Sequence, residues 1–204
     1  MPAGKRAGSG DGAAGLGDYR ARLLEGMAAA LDVKGFAETT VADIARHARV
    51  SKRTFYEHFA GKQDCLLALY VASSERALAR IADSIDPALE LDAQIRKTTK
   101  VYFSSMQERP ALLRTLLVEI LAAGPRGLEV RRRINRRYAE LLRKVVASSR
   151  PHGGERHTLS GAMATAIVGG LNELMLQAAE GGDLTRLRRL ARPAAVLVRS
   201  VVSR

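Results

Sequence analysis

The chain has 204 residues, enough for one ordinary domain or a small head on a larger body with a sizeable core. Aromatic residues make up only 4% and Trp is absent, while Ala, Leu and Arg dominate, a composition that favours helices throughout over a sheet protein. The formal net charge of +12 suits a polyanionic partner, although charge alone does not separate DNA from RNA or an anionic membrane.

In chain order, residues 1 to 17 are too rich in Gly and Ala and too poor in large apolar groups to pack, and read as a flexible tail. A first helix is expected from Asp18, with Leu24, Met27, Ala28 and Leu31 at i, i+3, i+4 and i+7, and with Gly35 as its stop. Thr40 and Asp43 have capping-box spacing, so a second helix starts there and turns Val41, Ile44, Ala45 and Ala48 inward. Arg49 and Val50 form a connection, and Ser51 is a good N-cap for a third helix. At about 100° per residue, Phe55 and Phe59 fall on one face of that helix and Arg53, Thr54 and Glu57 on the opposite one. Lys52 and Tyr56 line one flank, and His58 the other. Arg53 suits a bidentate contact to guanine, and Thr54 a thymine methyl or a base-edge acceptor. Lys62 opens a further helix after Gly61, where its ammonium and free backbone N–H groups are expected to clamp a phosphate.

These residues form a long run: Lys34-Gly35-Phe36, then T-x-x-x-I-A at 40 to 45, V-S at 50 and 51, T-F-Y-x-H-F-x-x-K at 54 to 62, and Leu66. Over this run the chain resembles the tetracycline-repressor (TetR) family of bacterial transcription regulators. The resemblance implies an all-α protein with a three-helix DNA-binding head in residues 18–62, a ligand-binding and dimerisation body in residues 63–204, and a homodimer. Carried onto this sequence, it turns Arg53 and Thr54 toward bases of a double-stranded operator. Thr40, Ser51, Lys52, Tyr56, His58 and Lys62 are turned toward phosphates.

The helix from Lys62 continues through Leu66, Leu69, Tyr70, Ala77 and Ile81 to just before Pro87, longer than a head requires, and is expected to join head to body. Cys65, the single cysteine, excludes an internal disulfide and reads as a buried small hydrophobe in preference to a redox sensor. Beyond Pro87, breaks at Gly and Pro residues delimit helices of roughly 91–107, 110–122, 126–149, 155–180 and 184–202, giving about nine in all. The fourth of these five carries Leu159, Met163, Ala166, Ile167, Gly170 and Leu174 on one stripe, and the last carries Leu187, Leu190, Ala191, Ala194, Val198 and Val201. The resemblance implies that these two helices pair with their copies across a two-fold axis; the alternative is that both stripes cover the body's own core.

Glu119 shares a face with Leu112 and Leu116, and is expected to pair with Arg131 or to hydrogen-bond an effector. Tyr102, Met106, Tyr138, Met163 and Glu173 complete a candidate effector pocket, an apolar cavity with a few polar groups. Arg132, Arg133 and Arg136 fall opposite the apolar stripe of their helix and read as a solvated face. The histidines at 47, 58, 152 and 157 have no metal spacing, and no nucleophile elbow or phosphate-cradling Gly loop is present, so neither catalysis, a metal nor a cofactor is expected. Without a signal peptide or a bilayer-length apolar run, the protein reads as cytoplasmic, with no membrane partner. The expected function is a dimeric DNA-binding repressor released from its operator by a small apolar or amphipathic effector. An effector-independent architectural DNA binder is the alternative.

Overall fold

The computed structural model describes residues 11–107, 110–150, 156–180 and 185–202. Among the described residues are nine helices: α1 (Asp11–Glu38), α2 (Val41–Ala48), α3 (Lys52–His58), α4 (Lys62–Asp83), α5 (Leu91–Gln107), α6 (Pro110–Ala122), α7 (Gly124–Ala147), α8 (Gly161–Glu180) and α9 (Thr185–Ser200). They divide into two compact units that meet in sequence at Leu69 and Tyr70, within α4.

In the head, the stripe expected on the first helix is buried, and Ile44, Ala45 and Ala48 of α2, Phe55 of α3, Phe59, and Cys65, Leu66 and Leu69 of α4 are buried with it. Residue 26 sits where α1 passes closest to α2: a Cβ there would stand 2.6 Å from the Ile44 carbonyl oxygen and 2.8 Å from the Ala48 nitrogen. Only glycine fits that approach without movement of one backbone against the other. Gly26→Ala is therefore expected to destabilise the head by about 1–3 kcal/mol, more than the helix propensity gained from alanine returns. A thermal melt followed by circular dichroism checks this, and an unchanged or raised midpoint would contradict it.

Gly35 breaks α1 with φ 71° and ψ 177°, a backbone that side-chain-bearing residues rarely adopt, so the expected stop stands where it was read. The start differs: α1 begins at Asp11 and not Asp18. Residues 1–10, the remainder of the expected tail, lie outside the described residues.

The body packs α5 on α9, α7 on α8, and α6 against both α7 and α8. Its core joins Ile81, Ile95, Phe103, Val146, Ile167, Met175 and Val198. α8 begins at Gly161, six residues later than expected. Ser160 is its N-cap, accepting from the Met163 N–H at 3.2 Å, and Arg143 Nε occupies the Leu159 carbonyl at 3.1 Å. One stripe is corrected, that of α8, while the described residues read on the α9 stripe face the core. On α8 the inward residues are Ala164, Ile167, Val168, Leu171 and Met175, while Met163 and Ala166 lie on the exposed side. On α9, Ala194 and Val198 are buried and Leu190, Ala191 and Val201 pack against the body's own core. Among the described residues no helix is long and apolar enough to cross a membrane.

Candidate nucleic-acid interface and effector cavity

The recognition geometry begins at the α2 N-terminus, where the Thr40 N–H donates to Asp43 Oδ2 at 2.9 Å and the Asp43 N–H donates to Thr40 Oγ1 at 3.2 Å, completing the capping box. Lys34 Nζ lies 2.7 Å from the same carboxylate. The bond from Lys34, and then those from Thr40, hold the Asp43 carboxyl well below the ordinary carboxylate range. With a folded-state pKa below that of the unfolded chain, the unfolded state takes up the proton first as pH falls. The stabilisation is thus complete above about pH 4 and lost progressively below it. In acid melts, Asp43→Asn is expected to show a shallower decline below about pH 4 than the unaltered chain, and parallel declines would contradict the assignment.

The turn that aims α3 is set by Arg49, in the left-handed region at φ 55° and ψ 48° without being glycine. Arg22, on α1, supports it: one guanidinium nitrogen donates to the carbonyls of Ala48 and Arg49, each at 2.8 Å, occupying acceptors that the end of α2 leaves open. Nothing in local spacing marks Arg22, because its partners lie more than twenty residues away.

Ser51 caps α3, its hydroxyl accepting from the Thr54 N–H at 3.0 Å. Phe55 and Phe59 are buried with ring centroids 5.7 Å apart. On the opposite face the Arg53 side chain is 90% exposed, held only by an ion pair with Glu57 at 3.2 Å. Lys52, Ser51, Thr40 and Tyr56 are also exposed, so a cationic, hydroxyl-bearing surface surrounds Arg53. Thr54 is half-buried, and its hydroxyl lies 2.9 Å from that of Ser51.

Two expected phosphate contacts are corrected. His58 is half-buried and its Nε2 is buried without a hydrogen-bond partner, so that nitrogen is withdrawn from the surface. Lys62 spends its ammonium internally: Nζ donates to the carbonyls of Phe36 (3.1 Å), Ala37 (2.9 Å) and Thr39 (3.0 Å) and lies 4.8 Å from the centre of the Phe36 ring. An ammonium has three donors; all are taken. Cys65 is buried, and burial pushes its thiol up to about 12, which suppresses the thiolate a redox role requires.

In the body, a cavity of about 130 Å³ is walled by Tyr70, Ser74, Tyr102, Tyr138, Asn172 and Met175, among others. A second, of about 60 Å³, shares Tyr102 and Tyr138. Those two rings meet edge to face at 5.7 Å, and the Tyr138 hydroxyl donates to the Ser74 carbonyl at 3.4 Å. Burial pushes the Tyr70 phenol up to about 12 and raises those of Tyr102 and Tyr138 as well, so all three stay neutral.

Of the six candidate effector residues, Tyr102 and Tyr138 are brought together. Met163 and Glu173 are exposed on α8, away from its inward face, and Glu173 accepts from Gln177 at 3.0 Å. Glu119 is half-buried but lines neither cavity, and its pairing with Arg131 is not among the described ion pairs. The Met106 side chain lies outside the described residues. Tyr70, Ser74 and Asn172 went unread, although Tyr70, Ser74 and Ala77 at i, i+4 and i+7 share one face of α4 and all line the larger cavity.

A capped helix, a tight turn and a second helix that buries its aromatics while presenting arginine define a helix-turn-helix DNA-binding regulator, here with a helical body. Residues 23–69 match the model for bacterial regulatory proteins of the tetR family. The chain is 26% identical to the HTH-type transcriptional regulator EthR of Mycolicibacterium smegmatis, over 79% of this chain and 75% of that protein. It is 24% identical to the HTH-type transcriptional regulator UidR of Escherichia coli, over 82% of this chain and 84% of the relative. The fold is similar to the fatty acid degradation regulator FadR of Bacillus halodurans, with TM-score 0.71, 18% identity and 95% and 96% of the two chains covered. It is also similar to FadR of Bacillus subtilis in complex with stearoyl-CoA, with TM-score 0.71, 16% identity and 87% and 96% covered. Residues 23–69 thus match the tetR-family model, and over most of its length the chain is similar to TetR-type transcriptional regulators.

Proposed function

We propose that the chain is a homodimeric repressor in the cytoplasm that reads a two-fold DNA operator through α3 and leaves it when an apolar or amphipathic effector occupies the body. The observation that carries this reading is the exposed Arg53 on the face opposite the buried phenylalanines. In the proposed complex Arg53 meets a base edge, with Thr54 beside it, and Thr40, Ser51, Lys52 and Tyr56 hold phosphates. Dimerisation through α8 and α9 is supported by their outward faces: Ala162, Met163, Ala166 and Gly169 on α8, and Pro193 and Leu197 on α9, are exposed, small or apolar. Two heads then meet successive major grooves about 34 Å apart.

The three neutral phenols suit an uncharged or amphipathic effector, the latter in keeping with the stearoyl-CoA named for the Bacillus subtilis neighbour. At about 130 Å³ the larger cavity is smaller than the roughly 300–1,000 Å³ of ligand pockets, so binding would part the helices around it. α4 lines this cavity from Tyr70 onward, and its first turn belongs to the head, so its displacement couples the two sites. A differential affinity of about 1–3 kcal/mol would lower operator affinity roughly 5- to 150-fold. Footprinting on DNA upstream of the protein's own gene, with and without a metabolite panel, tests the reading. Protection of a two-fold site that one compound abolishes is the expected result. Uniform, salt-sensitive coating of any DNA would replace the repressor with an architectural binder.

A further inference from the structure

We propose that the groove between α5 and α9 is a binding site for a soluble phosphate monoester carrying an apolar tail. The groove encloses about 790 Å³ and shares no lining residue with the cavities around Tyr102 and Tyr138. That volume falls within the range of small-molecule sites, roughly 300–1,000 Å³.

Its walls explain the chemistry. On α5, Asp92, Arg96 and Lys100 recur at four-residue spacing and so line one stripe; on α9, Arg192 and Arg199 face the same groove. Four cations and one carboxylate therefore line the groove. Asp92 pairs with Arg96 on its own helix and with Arg199 across the groove, the latter at 2.8 Å. A carboxylate offers two oxygens, whereas each guanidinium has five donors, so this pairing leaves most of the arginine donor capacity unused. Like charges converging on a concave wall repel one another and attract an anion, an effect that the low-dielectric protein surface focuses. A phosphate dianion matches the residual charge better than a second carboxylate and accepts the forked, bidentate bonds that arginine makes. Beneath the cations lie Phe103 and Ala195, both buried, with Val196 half exposed beside them, which is apolar surface for a short chain.

The test is isothermal titration of the full chain with octyl phosphate at low ionic strength, against inorganic phosphate and octanol, with Lys100→Glu, Arg192→Glu, Arg132→Glu and Asp92→Asn variants. Lys100 and Arg192 are exposed and stand outside the Asp92 pairs, so charge reversal there leaves the α5–α9 ties in place. Arg132, exposed on α7 and outside this groove, is the charge-matched control. Octyl phosphate should bind saturably and more tightly than either half-molecule. Lys100→Glu and Arg192→Glu should each weaken it by about tenfold or more, the loss of a charge-assisted hydrogen-bonding partner. Asp92→Asn should tighten it by removing the competing carboxylate, and Arg132→Glu should leave it unchanged. Equal sensitivity to Arg132→Glu, binding no tighter than octanol, or an absence of saturation would overturn the proposal. So would capture by phosphatidic-acid vesicles without binding of octyl phosphate, which would make the groove a membrane contact.

Discussion

Arg53→Ala is expected to lower affinity for the operator by about 1–3 kcal/mol, roughly 5- to 150-fold, and to relax the preference at one base pair. The side chain is 90% exposed in the first turn of α3, and its one ion pair, with Glu57, is itself exposed and contributes little to folding. Removing the guanidinium therefore leaves the head intact, so the loss falls on recognition. Arg53→Lys should restore much of the charge-driven affinity without the base preference, because an ammonium lacks the fork that matches guanine. Fluorescence anisotropy across operators carrying single base-pair changes separates the two effects. A uniform loss on every sequence would make Arg53 a phosphate contact.

Lys62→Met should have the opposite signature: a less stable head, weaker binding to all DNA, and a salt dependence close to that of the unaltered protein. The ammonium joins the start of α4 to the Phe36 and Ala37 carbonyls at the end of α1 and the Thr39 carbonyl in the turn that follows, and Phe36 covers it. Methionine keeps the length of the side chain but leaves those carbonyls without their donor. For a partly buried, charge-assisted set the cost is about 2–3 kcal/mol. Were Lys62 a phosphate contact, the slope of log affinity against log salt would flatten by about one instead. Hydrogen exchange at the α1–α2 turn supplies an independent reading: protection there should fall in Lys62→Met and stay unchanged in Arg53→Ala.

The sequence made the head legible because its signals are local. Capping pairs such as Thr40 with Asp43 and Ser51 with Thr54 lie within one helical turn, and the Phe55–Phe59 face follows from helix periodicity alone. The bounds of α4, α5 and α6 were legible for the same reason, since Gly61, Pro87 and Pro110 interrupt the pattern. Lys62 was misread because its partners lie more than twenty residues away in sequence, and a lysine opening a helix looks the same whether it faces phosphate or a carbonyl cage. The stripe read on α8 failed for a related cause. A helix such as α8 that is apolar or small on most sides gives periodicity too little contrast to tell core from surface, so Met163 and Glu173 were assigned to a pocket they do not line.

The sequence by itself determined the helices, the class of DNA-binding head, and the face of α3 that holds Arg53. Each depends on residues within a turn or two of one another, where bond geometry leaves few choices. Only the tertiary structure decided which tyrosines wall a cavity, which cations gather between α5 and α9, and that Lys62 serves the fold. Those outcomes depend on which helices pack together, and one helix's spacing carries no information about the neighbour it will meet.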